Sequence, residues 1–125
     1  MEVKLFDSEL KVMDVLWRAD RDLTAGQIAK ILLDEIGWNR NTTYTVIKKC
    51  IAKGAIERRD PKFICHAQVT RQQAQSYETD ELIDKMFDGS KQKFFAAFLS
   101  NSRLTEEEVD QLKEMISNMS NPSGQ

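Results

Sequence analysis

The sequence predicts a mainly α chain with a small β wing. A winged helix-turn-helix domain spans residues 1–71, a three-helix dimerisation domain spans 72–120, and a disordered tail covers 121–125. Three observations carry that expectation. The cationic stretch from Trp38 to Gly54, WNRNTTYTVIKKCIAKG, reads as one amphipathic helix that follows another after a loop of two or three residues. Past Gly54 the apolar period changes from helical to strand-like around Asp60-Pro61-Lys62. The remaining half is acidic and carries three further helix-start signals.

Leu5 and Phe6 precede Asp7, read as the N-cap of a first helix from Ser8 to Arg18 that places Leu10, Met13, Leu16 and Trp17 on one face. Ala19–Asp22 is a loop, and Leu23-Thr24 a brief strand. Thr24 with Gln27 forms a capping box, in which side chain and backbone satisfy each other three residues apart. The second helix turns Ala25, Ile28, Ile31, Leu32 and Ile36 inward and ends at Gly37. In the third, Asn39 sits at the N-cap and Gly54 at the C′ position, where a left-handed turn suits a residue without Cβ. Ile47, Cys50 and Ile51 form its core stripe, flanked by Tyr44 and Val46. Its other face shows Arg40, Asn41, Thr42, Thr45, Lys48, Lys49 and Lys53.

Ala55–Arg59 and Phe63–Val69 read as strands joined by a type I turn, with Asp60 at its first position and Pro61 at its second. The hairpin tip carries Arg58, Arg59 and Lys62. Thr70 with Gln73 opens a fourth helix to about Asp88, with Tyr77, Ile83, Met86 and Phe87 apolar. Ser90 caps a fifth carrying Phe94, Phe95, Phe98 and Leu99. Thr105 with Glu108 opens a sixth whose stripe is Val109, Leu112, Ile116 and Met119. Some fifty residues in three helices are too few to enclose so many large apolar side chains; the same segment of a second chain is the expected cover, making a homodimer, and the alternative is that these helices fold back on the winged domain.

Net charge is −2 over 125 residues, but it is unevenly spread: residues 1–71 hold 13 Lys+Arg and 10 Asp+Glu, residues 72–125 hold 5 and 10. Between 40 and 62, seven cations face Glu57 and Asp60 alone. A polyanion responds to that local charge. Asn, Thr and Arg at the start of the third helix suit base edges in a major groove, and Lys behind them suits phosphates. Cations at the hairpin tip suit a wing lying along a duplex backbone.

Chemistry of other kinds finds little support. No apolar run approaches a membrane span, no signal peptide is visible, and the two cysteines make no disulfide framework, so the cytoplasm is the expected compartment. His66 and Cys65 are neighbours on a strand and point to opposite faces, which does not suit a shared metal ion. No paired-ligand spacing, nucleophile elbow or Gly-rich phosphate loop occurs, and Glu106–Glu108 read as helix-start residues. Neither an enzyme, a metal nor a cofactor is expected. The rival reading is a winged-helix docking module that meets an acidic protein surface and shows no DNA sequence preference.

The runs LFDSELKVMDVLW, LTAGQIA and GWNRNTTYTVIKKCIAKGAI, with the spacings W-N-x-x-T-x-x-T and KG-x-I, resemble the penicillinase-repressor family across nearly the whole chain. The resemblance implies a homodimeric winged-helix repressor on a palindromic operator in double-stranded DNA. It maps base and phosphate contacts onto Asn41, Thr42, Tyr44 and Thr45, and wing contacts near Arg58 and Arg59. Well-studied members carry Lys where Asn41 stands and Arg or Gln where Tyr44 stands, which implies a different operator sequence. The resemblance also implies inactivation by a membrane-bound sensor-protease. The matching bond here is Ala97–Phe98, where relatives have Asn before the cut. The cysteine-rich motifs of copper-sensing cousins are absent, which argues against copper as inducer.

Overall fold

In a computed structural model, which describes residues 3–101 and 103–120, the elements follow in the order α1 (Asp7–Ala19), β1 (Leu23–Thr24), α2 (Ala25–Ile36), α3 (Arg40–Ala52), β2 (Ile56–Arg59), β3 (Ile64–Ala67), α4 (Arg71–Phe87), α5 (Lys91–Asn101) and α6 (Glu106–Ser120). The expected tail at 121–125 lies outside the described residues. The chain falls into two compact units, Met1–Leu82 and Ile83–Gln125, so the division lies inside α4.

The first unit is built on local signals. Gln27 N–H donates to Thr24 Oγ1 at 3.1 Å while Thr24 N–H donates to Gln27 Oε1 at 2.8 Å, which starts α2. Gly37 ends α2 at φ 74°, and Gly54 follows α3 at φ 83°. The strands form an antiparallel sheet in the order β1-β3-β2, with Leu23 opposite Cys65 and Arg58 opposite Cys65 on the other side. Under it lies one core that joins Met13, Leu16, Ile28, Leu32, Ile47, Cys50, Ile56 and Cys65.

Three expectations fail here: the cap of α1, the burial of Ile36 and the bounds of the wing strands. The N-cap of α1 is Phe6, not Asp7, because Glu9 reaches back to accept the Phe6 N–H at 2.8 Å. The expected inward face of α1 does reach the core, Met13 and Leu16 buried and Leu10 and Trp17 packed against it; Glu9, Val12 and Val15 are buried as well, because α2, α3 and β3 all pack on this helix. Ile36, in the last turn of α2, is exposed. The strands, Ile56–Arg59 and Ile64–Ala67, are shorter than the expected Ala55–Arg59 and Phe63–Val69, and the Asp60–Pro61 peptide between them is cis.

The second unit is different in kind. Ser90 Oγ accepts the Lys93 N–H at 3.0 Å to start α5, and Thr105 and Glu108 cap α6 reciprocally at 3.1 and 2.9 Å. Of the apolar residues expected to dimerise, Ile83 is buried and Phe87, Phe94, Val109 and Leu112 are half-buried. Met86, Phe95, Phe98, Leu99 and Ile116 are exposed. Tyr77 falls in the first unit, where its hydroxyl donates to Glu81 at 3.2 Å. Gln92, Phe95, Ala96, Leu99, Ile116 and Met119 line an open apolar groove of about 700 Å³. No helix among the described residues is long and apolar enough to cross a membrane.

Candidate nucleic-acid interface

The candidate interface begins at the N-terminus of α3. Asn39 Oδ1 accepts the Thr42 N–H at 2.8 Å, which starts the helix and leaves Arg40, Asn41 and Thr42 in its exposed first turn. The inward face is Thr43, Val46, Ile47 and Cys50, with Ile51 half-buried. Thr43 is a residue the periodicity did not find: it is fully buried, and its hydroxyl has no hydrogen-bond partner among the described residues.

The outward face holds Asn41, Thr42, Thr45, Lys48 and Lys49, all exposed, with Tyr44 half-buried at its edge. Among the described residues the Asn41 amide, the Thr42 and Thr45 hydroxyls and the Lys48 and Lys49 ammonium groups have no partner. Asn41, Thr45 and Lys48 share one side, because residues three and four apart are neighbours on a helix. The hydrogen-bonding capacity of this face is therefore available to an outside ligand.

Lys53 does not belong to that face. Its ammonium donates to the buried Glu9 carboxylate at 2.6 Å and to the Lys4 carbonyl at 2.8 Å, and it covers the Phe6 ring at 3.7 Å. It ties the end of α3 to the start of α1. A lysine at helical spacing from Lys49 looks solvated in sequence, and only the distant Glu9 removes it.

The wing separates its two arginines. Successive strand residues point to opposite sides. Arg58 lies with its guanidinium 3.6 Å from the Phe63 ring centroid and donates to Asp60 at 2.9 Å. Arg59 donates to Glu57 at 2.8 Å and to Asp22 at 3.2 Å, and Asp22 also stands 2.8 Å from His66 Nδ1. Lys62 is exposed with no partner among the described residues. Three carboxylates thus offset the wing's cations, and the charge excess inferred from residues 40–62 is concentrated on α3. Asp22 was not legible as part of this group, being separated from Arg59 by 37 positions.

Helix and wing meet through aromatic rings. Arg40 Nη2 donates to the Tyr44 hydroxyl at 2.7 Å, and the Tyr44 ring stands edge-on to that of Phe63 at 5.7 Å between centroids. The structure thus brings Arg40, Tyr44 and Arg58 together and leaves Arg59 on the side of His66.

The buried groups do not make a reactive centre. Burial pushes the Cys50 thiol up to about 12, with Glu9 adding to it, and the Cys65 thiol up to about 11. Both stay protonated near neutrality and are weak nucleophiles and ligands. Among the described residues no group of three or more His, Cys, Asp or Glu is placed to hold a metal ion.

Comparison with known proteins agrees with this arrangement. Residues 5–118 match the family model described as penicillinase repressor. A penicillinase repressor of Bacillus licheniformis is 22% identical over 115 residues, covering 90% of this chain and 89% of that protein. The match takes in α1 to α6 together, the winged unit and the exposed helices alike. The chain belongs to the penicillinase repressor family, whose members are DNA-binding regulators of transcription and not enzymes.

Proposed function

We propose that this repressor acts in the cytoplasm as a homodimer on a palindromic operator, each copy laying α3 in a major groove and its wing along the flanking phosphates. The observation that carries the reading is the exposed face of α3, where Asn41, Thr42 and Thr45 keep their hydrogen-bonding groups unpaired beside Lys48 and Lys49. Asn reads adenine and Thr reads base edges or the thymine methyl, whereas Lys and Arg neutralise phosphates without regard to sequence. Arg40 and Tyr44 extend the contact at the start of the helix. Arg58 and Lys62 extend it on the wing, while Arg59 is held by Glu57 and Asp22 on the side of His66.

In this reading the second copy covers the apolar face of 72–120, and two α3 helices then address half-sites a turn or its multiple apart, about 10 bp per turn. Occupying promoter DNA represses transcription. A sensor-protease that cut Ala97–Phe98 would divide α5 and break the cover, and each half-site would then bind with its own free energy alone. N-terminal sequencing of fragments formed alongside such a protease tests this arm, a new terminus at Phe98 being the expected result.

The DNA arm is tested by titrating a palindromic operator and a scrambled duplex. Thr45→Ala should weaken operator binding by roughly five- to a hundredfold and scrambled binding little, one base contact being lost. Arg58→Ala should weaken both and lower the salt slope by about 1. Equal affinity of the wild-type protein for both duplexes would overturn the reading.

A further inference from the structure

Phe63 ends the turn of the wing at φ 51°, a backbone conformation that bulky L residues rarely adopt. Its carbonyl accepts the N–H of Ala25, the first residue of α2, at 2.9 Å. Its half-buried ring meets the Arg58 guanidinium at 3.6 Å and the Tyr44 ring edge-on, 89° between planes. Tyr44 in turn holds Arg40, whose guanidinium carbon lies 4.7 Å from the Tyr44 ring centroid. One cation–ring–ring–cation series therefore runs from the wing to the first turn of α3.

We propose that Phe63 is a positioning residue for DNA recognition: it fixes the wing to α3, so that Arg58 reaches phosphate while Tyr44 and Arg40 meet the groove. The proposal rests on the reading of Arg58 as a phosphate contact. Backbone pairing with β1 holds the hairpin at Ile64 and Cys65, but it leaves the Arg58 side chain to be directed by the groups it touches. Holding it in the bound geometry removes the ordering cost from the binding step. A ring under a guanidinium does this without consuming its N–H donors: Asp60 takes the Arg58 Nε–H at 2.9 Å, and the Nη groups stay available to phosphate oxygens. An aliphatic side chain would fill the same space without directing the cation.

The test is a cycle of variants in anisotropy titrations on operator and scrambled duplex over a range of salt, with thermal melts for each protein. Phe63→Leu should weaken operator binding roughly three- to tenfold, the scale of one lost cation–π contact. Arg58→Ala should lower the salt slope by about 1 in the wild-type background and leave it unchanged in the Phe63→Leu background. Phe63→Tyr should restore the wild-type pattern. If Phe63→Leu melts early, Tyr44→Leu repeats the cycle from the other side of the ring, and the Arg58 effect should again vanish. An Arg58→Ala effect of equal size in every background overturns the proposal. Its absence from the wild-type background overturns instead the phosphate contact on which the proposal stands.

Discussion

The two units of the chain use apolar residues in opposite ways. In Met1–Leu82 the large apolar side chains of α1, α2 and α3 converge on one core, where Met13, Ile28 and Ile47 are 0% exposed. In Ile83–Gln125 the only described residue that is buried is Ile83, whereas Ile116 is 61% and Met119 79% exposed. Both units have helices started by the same capping chemistry. The difference therefore lies not in secondary structure but in what is available to cover it. Three helices and a sheet can enclose a core, whereas α5 and α6, of 11 and 15 residues, leave their apolar faces exposed, the kind of patch on which a docking surface is proposed above.

The sharpest break in that comparison comes from charging the second unit. Leu99→Asp with Ile116→Asp should convert the proposed dimer into monomers by sedimentation and cost about a hundredfold or more in operator affinity, since the linked second half-site is lost. The melting of the first unit should hardly move. Next comes truncation within the closed core: Ile47→Ala should cost about 2–5 kcal/mol in urea denaturation, by lost burial and the cavity left behind. The matching Ile116→Ala, measured where the chain is monomeric, should stay within about 0.5 kcal/mol because that side chain is already in water. Equal costs at the two positions would erase the distinction between the units.

A smaller effect sharpens the picture inside α3. Thr43→Val removes a buried hydroxyl that has no partner among the described residues, so it should be neutral or stabilising by up to about 1 kcal/mol in the same assay. The smallest effect is one of pH. Hydrogen bonds from Arg18 hold the Glu35 carboxyl below its ordinary range, and although burial pushes the Asp14 carboxyl up, hydrogen bonds from Arg71 and Arg18 bring it below its own. A depressed carboxylate contributes stability that is present above its unfolded pKa, near 4, and is lost as pH falls through the folded value. Melting temperature should therefore drop between about pH 5 and 3. Arg18→Met should make that drop shallower.

How much of this was legible in the sequence depends on distance along the chain. Thr24 with Gln27, Thr70 with Gln73 and Thr105 with Glu108 each form the reciprocal bonds their spacing implied. Asn39 and Ser90 cap as expected. The strand pair and its basic tip were legible too, from the change of period after Gly54. Asp7 failed as a cap because Glu9, three residues after Phe6 and so at the capping-box position, accepts the Phe6 N–H and also the ammonium of the distant Lys53. Of the candidate interface, the exposure of Asn41, Thr42 and Thr45 followed from helical spacing. The loss of Lys53 from that face, the neutralising of Arg59 by Asp22 and the part played by Phe63 did not.

The sequence by itself determined where α2 to α6 begin, which side of α3 is polar and which residues are apolar, because caps and amphipathic stripes are interactions between residues a few positions apart. Only the tertiary structure decided which cations are already paired, which rings hold which guanidinium groups and which apolar stripes stay uncovered. Glu9 and Lys53 stand 44 positions apart, and such contacts exist only once packing has carried distant segments together.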